Sequence, residues 1–467
     1  MSSEINIKDF ICERCFFLIN NYTNEESNIK KEEILNLKCS KNCNFCFGIL
    51  DFDSYKNIIN EIKLKIIEYT YKEYRLSINF SIILDIIHYY WRCVIEKDKN
   101  LNIKNINELE PNILRILFKQ LFIQQFSREI HESFNPKGDL EIIINFDFPD
   151  NIYQEFNNIF KFLNKNIIIT AKEKTSKNLK QIISNLPKQL IIPIFDKFSL
   201  NEKLNKVELK MKINYEKESI YIKGNYNKYT REIGQTKWEI NGIKVCVSSV
   251  EEEIKNILIP IFNCDNCIMS AGGREDRDVR MLGKGRPFIF EIINPKKEFL
   301  NMDVLKTKIN ESSKFIKVNN LVISNKNFID NIKNAELNKM KLYTSLVFVE
   351  KKISNDDIIK LNNIKNINVI QKTPLRVLHR RTLMNRDKKI YKLEAQKIND
   401  HFLILNILAS AGTYIKEFVH SDLGRTNPSI KSLLNCYCDI LQLDVKDLIF
   451  DNEEEKSIFL SFLNKKK

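Results

Sequence analysis

The charged stretch of residues 270–287, with the sequence SAGGREDRDVRMLGKGRP, constrains the fold more than any other part of the chain. Apolar runs flank it at residues 257–262 and 288–293. The pattern predicts a charged loop that leaves one buried element and returns into another. Gly272 and Gly273 permit a tight turn, and the planar guanidinium groups of the four arginines suit phosphate. For this stretch alone, the alternative is a solvated charge cluster in a hairpin.

The composition favours an intracellular protein with a polyanionic partner. The chain has 467 residues, is 43% hydrophobic and carries a formal net charge of +14, which points to nucleic acid or an anionic membrane surface. A bias toward Ile, Lys and Asn inflates this charge, so arginine placement is the better guide. We find no apolar run of about 18 residues and no signal-peptide pattern in MSSEINIKDF. We therefore expect a protein of the nucleus, the cytoplasm or both.

Two CxxC pairs near the start predict a metal site. Cys12 and Cys15 form the first pair, and Cys43 and Cys46 form the second. Each pair places two thiolates on one tetrahedral ion, so the spacing predicts a structural zinc ribbon over about residues 10–50. A closed site of this kind has no open coordination position, and we assign it no catalysis. Cys39 is a fifth candidate that we expect to be spare.

The first half of the chain shows a change of pattern near residue 136. Residues 51–135 carry apolar positions mainly at helical spacing, whereas residues 139–146, 167–170 and 189–195 predict strands. Alternating helices and strands over residues 136–222 suit a small α/β RNA-binding module of the THUMP kind. We therefore expect an N-terminal RNA-binding region over residues 1–222 and a second domain over residues 223–467.

The second half combines aromatic and basic side chains. Residues 224–238 interleave tyrosine and tryptophan with basic and amide residues, as a stacking nucleic-acid surface does. Residues 250–262 predict an amphipathic helix that runs toward the charged stretch. Residues 371–381, QKTPLRVLHRR, form the densest basic run, which indicates either a phosphate track or a solvated basic edge.

Three separated motifs in this half resemble those of pseudouridine synthases. The string GRED at residues 273–276 resembles their GRxD core, and KLY at residues 341–343 resembles their stacking-tyrosine motif. GTYIK at residues 412–416, followed by DLG at 422–424, is similar to the GTYIR…DLG motif of bacterial tRNA pseudouridine-55 synthases. Longer strings, among them GREDRDVRMLGKGRPF and QKTPLRVLHRR, resemble the archaeal and eukaryotic family that makes tRNA pseudouridine 54 and 55.

The resemblance implies a fold and a set of site residues. The fold is α/β (α+β): a catalytic domain with a mixed, largely antiparallel central sheet, plus the zinc-ribbon and THUMP-like region. Asp276 is the implied catalytic carboxylate, with Asp278 as the fallback, and Lys416 is its implied cationic partner. The remaining implied substrate contacts are Tyr343 stacking on the target base, Tyr414 lining the pocket and Arg274 holding RNA phosphate.

The leading hypothesis is therefore a tRNA pseudouridine synthase that acts in the T-arm, at position 54, 55 or both. By resemblance it needs no cofactor for catalysis, and zinc is structural. We expect tRNA as its partner, with neither DNA nor membrane, and a monomer. An RNA-binding scaffold or processing factor in which catalysis is secondary is the alternative. A zinc-dependent DNA-binding protein would leave the GRED and GTYIK motifs without a role.

Overall fold

Separate hydrophobic cores divide the chain after Glu218 into two units, Met1–Glu218 and Ser219–Lys467. The computed structural model describes residues 7–21, 34, 36–97, 113–130, 133–162, 188–205, 207–337 and 339–450. The boundary expected from the sequence, between residues 222 and 223, lies inside a strand that begins at Ile220. None of the helices within the described ranges is long and apolar enough to cross a membrane.

A three-stranded sheet covered by helices forms the first unit. Its strands are β1 (Tyr74–Phe80), β2 (Leu140–Asp147) and β3 (Lys210–Lys217). β2 pairs in parallel with β1 and antiparallel with β3, and every second residue of β2 is buried. The described helices are α1 (Glu13–Asn21), α2 (Phe52–Ile66), α3 (Ile82–Lys97), α4 (Ile113–Ile130), α5 (Asp150–Phe162), α6 (Lys188–Lys197) and α7 (Leu200–Leu204).

One prediction for this unit is wrong and another is incomplete. The mainly helical segment expected over residues 51–135 holds α2, α3 and α4, as predicted, but it also contains strand β1, whose sequence YRLSINF alternates in burial as a half-buried strand does. The strand expected at residues 189–195 lies within α6, because a short apolar run does not distinguish a buried strand from a buried helix. The strand predicted at residues 167–170 lies outside the described residues.

The second unit is built on a mixed, largely antiparallel sheet, which confirms the expected architecture. The strands of this sheet are β4 (Ile220–Lys228), β7 (Asn266–Ala271), β8 (Val279–Ile293), β9 (Ile316–Ser324), β10 (Lys339–Val349), β11 (Lys365–Lys372), β12 (Asn385–Lys397), β13 (Phe402–Ala409), β14 (Thr426–Asn427) and β15 (Cys438–Phe450). Their order is β14-β11-β12-β13-β10-β15-β8-β4-β9, with β7 also paired to β8, and among these described strands only the β15–β8 pair is parallel. A separate hairpin joins β5 (Glu239–Ile240) to β6 (Ile243–Lys244).

Helices complete this unit, and one of them matches its predicted bounds. The helix expected over residues 250–262 is α8 (Val250–Phe262), and the Ser249 side chain caps it by accepting a hydrogen bond from the Glu252 N–H. The others are α9 (Met302–Ser312), α10 (Asn327–Leu337), α11 (Asn355–Asn362), α12 (Ile415–His420) and α13 (Ile430–Leu434). A 3₁₀ helix spans Leu375–Arg380.

Strand β15 brings distant motifs together. It pairs with β10, where Val445 lies opposite Tyr343, and with β8, where Leu443 lies opposite Val279. Residues 272–278, which we call the charged loop, connect β7 to β8 and therefore lie beside the tyrosine of β10.

Candidate active site

The charged loop is fixed at both ends by backbone hydrogen bonds. The Gly272 N–H donates to the Pro287 carbonyl at 2.9 Å, and the Val279 N–H donates to the Asp276 carbonyl at 3.1 Å. Gly273 has a φ of +89°, in the left-handed region that favours glycine. The glycine pair thus turns the chain sharply out of β7, as the sequence predicts.

The loop forms one wall of a cleft of about 780 Å³ within the second unit. The other walls come from β10, β15, the 3₁₀ helix, β12 and the start of α12. The cleft is lined by all five residues that the motifs predicted to contact the substrate or to catalyse the reaction: Arg274, Asp276, Tyr343, Tyr414 and Lys416. Their roles in the reaction remain predictions, but one concave site holds all five.

Asp276 meets two cations through one of its oxygens. Its Oδ2 accepts a hydrogen bond from Arg376 Nη1 at 2.7 Å and lies 3.5 Å from Lys416 Nζ. Its other oxygen, Oδ1, makes no hydrogen bond with any described residue. The side chain is 33% exposed. The carboxylate is therefore held by charge on one oxygen and open on the other, as a nucleophile or base requires.

Asp278 is the main partner of Lys416. Lys416 Nζ donates to the two carboxylate oxygens of Asp278 at 2.9 and 2.7 Å, closer than it lies to Asp276. Burial alone would raise the pKa of Asp278, but the hydrogen bonds and charge of Lys416 outweigh it, so the pKa lies below its ordinary value. Asp278 is 57% exposed and does not line the cleft. This geometry favours Asp276 over Asp278 as the reactive group.

Arg376 lines the cleft, although the motifs did not single it out. Its Nε donates to Glu417 Oε1 at 2.7 Å, so one guanidinium joins Glu417 to Asp276. The Glu417 side chain is 1% exposed, and its Oε2 has no hydrogen-bond partner among the described residues. Burial acts to lower the pKa of Arg376, but its two carboxylate partners raise it overall, so Arg376 stays charged. The sequence offers one signal for this contact: Glu417 directly follows Lys416 and lies in a buried helical turn.

A buried ion pair and the hydrogen bonds around it support the charged loop. Arg286 Nε donates to Glu275 Oε2 at 2.8 Å, and both side chains are 1% exposed. The Tyr226 hydroxyl donates to the same carboxylate at 2.9 and 3.0 Å. Gln235 Nε2 donates to the Tyr226 hydroxyl and, at 2.7 Å, to the Gly273 carbonyl. The sequence marks these residues only as charged or polar neighbours of the motif.

The four arginines of the charged stretch separate in role. Arg286 is buried against Glu275, and Arg280 forms a bidentate pair with Asp444 at 2.9 and 2.6 Å. Arg286 is buried and therefore not available to phosphate, and Arg280 is committed to a carboxylate, which corrects the interpretation of all four as phosphate ligands. Arg277 is exposed and donates to a backbone carbonyl. Arg274 is exposed, lines the cleft and makes no hydrogen bond or ion pair within the described residues.

Two tyrosines line the cleft from different elements. Tyr343 is a nearly buried residue of β10. Tyr414 precedes α12, and the Gln371 amide clamps its backbone: Tyr414 N–H donates to Oε1, and Nε2 donates to the Tyr414 carbonyl, both at 2.9 Å. The Arg386 guanidinium lies 5.8 Å from the centre of the Tyr414 ring, within cation–π range. The cleft therefore has aromatic walls for a planar ligand and cations near its rim.

The first unit holds the expected cysteine cluster. The sulfur atoms of Cys12, Cys15, Cys43 and Cys46 all lie within 4.8 Å of one another, and all four residues are buried. Cys15 lies in the first turn of α1, Cys43 directly precedes a run of turns, and Cys46 lies within that run. The Cys39 sulfur is 3.9 Å from that of Cys12 and 3.7 Å from that of Cys46. Four convergent soft thiols fit a structural metal ion.

Comparison with known proteins shows which proteins the chain is similar to. Residues 221–448 match the family model described as Pus10, C-terminal. The human protein named tRNA pseudouridine synthase Pus10 is 32% identical over 433 residues, covering 88% of this chain and 78% of that protein. Its namesake from Methanosphaera stadtmanae is 35% identical over 239 residues, covering 48% of this chain and 58% of that protein. A solved Cbf5-Nop10-Gar1 complex aligns at 16% identity over 49% of this chain and 50% of that one, with a TM-score of 0.29, too low to add to the comparison.

These relatives define the class: the chain is an enzyme, a pseudouridine synthase. Within that class it belongs to the Pus10 family.

Proposed function

We propose that the chain isomerises uridine to pseudouridine in the T-arm of tRNA, at position 54, 55 or both, with Asp276 as the catalytic carboxylate. The environment of Asp276 carries the proposal: two cations bind Oδ2, and Oδ1 is without a hydrogen-bond partner among the described residues. A cleft of about 780 Å³ falls within the usual size range of ligand sites, which admits a base with its ribose.

The reaction needs nothing that the cleft residues do not supply. The C1′–N1 bond of the uridine breaks, the base turns, and a C1′–C5 bond forms with the same ribose. C5 loses a proton and N1 gains one, so atoms and charge balance without a redox or nucleotide cofactor. Asp276 acts as nucleophile or base, Arg376 and Lys416 orient it, and Tyr343 stacks on the base.

The target base must leave the RNA stack to reach Asp276. Arg274 is suited to hold the displaced backbone, because it is exposed at the cleft and uses none of its donors on the described protein. Arg386 and Tyr414 together offer a cation and a ring to a second nucleotide. The first unit, a THUMP-like RNA-binding region, binds the tRNA and determines which uridine enters the cleft.

Zinc is the metal we propose for the cysteine cluster. Cys12, Cys15, Cys43 and Cys46 would hold it as thiolates, and its contribution is to folding of the first unit. Four thiolate ligands close the tetrahedral coordination of the ion and leave no open position, so we assign the metal no catalytic step.

Mapping pseudouridines on an unmodified tRNA tests this function. The pure protein is incubated with the transcript, and carbodiimide labelling with primer extension then locates each pseudouridine. We expect stops at position 54, 55 or both. Modification confined to other positions would overturn the T-arm assignment. If pseudouridine forms nowhere while tRNA still binds, the RNA-binding scaffold becomes the better account.

A further inference from the structure

A buried ammonium group lies under the charged loop and has no role in the chemistry above. Lys228, the last residue of β4, is 0% exposed. Its Nζ donates to the carbonyl oxygens of Ile233 at 3.0 Å, Asp276 at 3.1 Å and Arg277 at 2.8 Å. An ammonium has three N–H donors, so these three backbone carbonyls use all of them.

We propose that Lys228 is a positioning residue whose protonated side chain holds the charged loop in its reactive arrangement. The proposal rests on the role of Asp276 in the proposed function. Two of the three contacts fall on the backbone of Asp276 and Arg277, so the ammonium fixes the chain that carries the carboxylate. A neutral amine donates only two hydrogen bonds, and its lone pair repels the third carbonyl. Loss of the proton therefore releases at least one of the three carbonyl contacts, two of which lie on the loop, and so weakens the hold on it.

The carboxylates near Lys228 are negatively charged, but each of them pairs more closely with another cation. Glu275, Asp276 and Asp278 act on it through space, as does the thiol of Cys246. Burial lowers the pKa of Lys228 to about 8, and these groups oppose that shift without cancelling it. No carboxylate is hydrogen-bonded to Lys228 among the described residues.

Each nearby carboxylate has a different cation as its close partner. Arg286 binds Glu275, Arg376 binds Asp276, and Lys416 binds Asp278. The ammonium of Lys228 is thus held by dipoles of the loop backbone, and the loop in turn depends on that positive charge. We expect the loop to be ordered below about pH 8 and to loosen above it.

The sign of the linked stability change separates this effect from unfolding. The native pKa of Lys228 lies below its value in an unfolded chain, about 10.4. Between these two values the unfolded state binds more protons, so the contribution of Lys228 to stability rises with pH. A loss of activity above pH 8 that comes from Lys228 therefore occurs without a parallel loss of folding stability from this group.

Single-turnover rates of pseudouridine formation across roughly pH 6.5–9.5 test the proposal in the full-length protein. We compare the wild type, Lys228→Met and the control Lys223→Met, which lies on the same strand and contacts the Phe328 ring instead of the loop. The wild type and the control should lose rate as the pH passes about 8. Lys228→Met should be at least ~10-fold slower at pH 7, since small displacements of reacting groups are costly, and should lack that alkaline decline. A Lys228→Met protein with the wild-type rate and the same decline would overturn the proposal.

Hydrogen exchange of the Val279 amide gives a second readout that needs neither a variant nor activity. This N–H donates to the Asp276 carbonyl, which also accepts from Lys228. After correction for the intrinsic exchange rate, its protection in the wild type should fall above about pH 8. Constant protection would contradict the proposal even if Lys228→Met fails to fold. If the protein makes no pseudouridine at any pH, the proposed function is wrong, and the exchange profile still decides whether Lys228 holds the loop.

Discussion

Arg376 Nη1 lies 2.7 Å from Oδ2 of Asp276, although one hundred residues separate the two in the sequence. The same guanidinium is fixed by the buried carboxylate of Glu417. The orientation of Asp276 therefore depends on an arginine in the 3₁₀ helix and on its anchor in α12. Lys416, the partner implied by the family motif, lies farther from Asp276 and binds Asp278 more closely.

Arg376→Lys should slow pseudouridine formation about 10- to 100-fold under single turnover while tRNA affinity changes only a few-fold. A lysine keeps the charge but cannot bridge Asp276 and Glu417 with a planar fork. Glu417→Gln should reproduce much of this loss, because it removes the charge that anchors Arg376. Equal rates for the wild type and Arg376→Lys would show that the bridge is dispensable.

Arg286→Met should lower the free energy of unfolding by about 3–5 kcal/mol, because it leaves the Glu275 carboxylate buried without its cationic partner. Urea unfolding gives the value. The double variant Glu275→Gln/Arg286→Met should recover part of the loss. Arg277→Met, at an exposed position of the same loop, should change stability by less than about 0.5 kcal/mol. Similar losses for Arg286→Met and Arg277→Met would contradict the inferred importance of the buried pair.

Asp444→Asn should cost stability at neutral pH but much less in acid. Burial alone would raise the pKa of Asp444, but hydrogen bonds and charges from Arg280 and Arg231 outweigh it and lower the pKa. Its stabilising effect is then complete above the ordinary carboxyl pKa of about 3.9 and disappears as the pH falls through the lower folded value. Urea unfolding at pH 7 and near pH 3 measures this. A variant whose deficit grows toward acid would contradict it.

The four-cysteine site predicts that substitutions of Cys39 and Cys43 have different effects on zinc content. Elemental analysis should find one zinc per chain in the wild type and in Cys39→Ser, but little in Cys43→Ser. Cys43→Ser, or chelation of the wild type, should destabilise the first unit. Without the metal, no bond joins the four buried thiols that converge there. Loss of zinc from Cys39→Ser to the same extent would show that Cys39 is a ligand.

The sequence motifs predicted five residues of the cleft but not how they are held. Asp276, Tyr343 and Tyr414 carry short-range signals, because each sits in a short characteristic string of residues. The contacts of Arg376 and Lys228 depend on which loops meet in three dimensions. In the sequence, both look like ordinary members of basic or mixed runs.

The same limit explains the errors in the first unit. Strand β1 has clear alternation, yet it lies between long helical patterns that dominate its neighbourhood. α6 is short, apolar and contains Pro193, features that fit a strand as well as a helix. Contacts with neighbouring elements decide the structure in both cases: β1 pairs with a parallel strand, and α6 packs as a helix. A single sequence does not show those contacts.

The most direct measurement compares Asp276→Asn with Asp278→Asn on unmodified tRNA, with pseudouridine mapped under single turnover and tRNA binding measured in parallel. Asparagine preserves the shape of each side chain and removes its charge. We predict that Asp276→Asn binds tRNA but forms no pseudouridine, whereas Asp278→Asn retains a measurable rate. Pseudouridine formation by Asp276→Asn at the wild-type rate would contradict the assignment of Asp276 as the catalytic carboxylate.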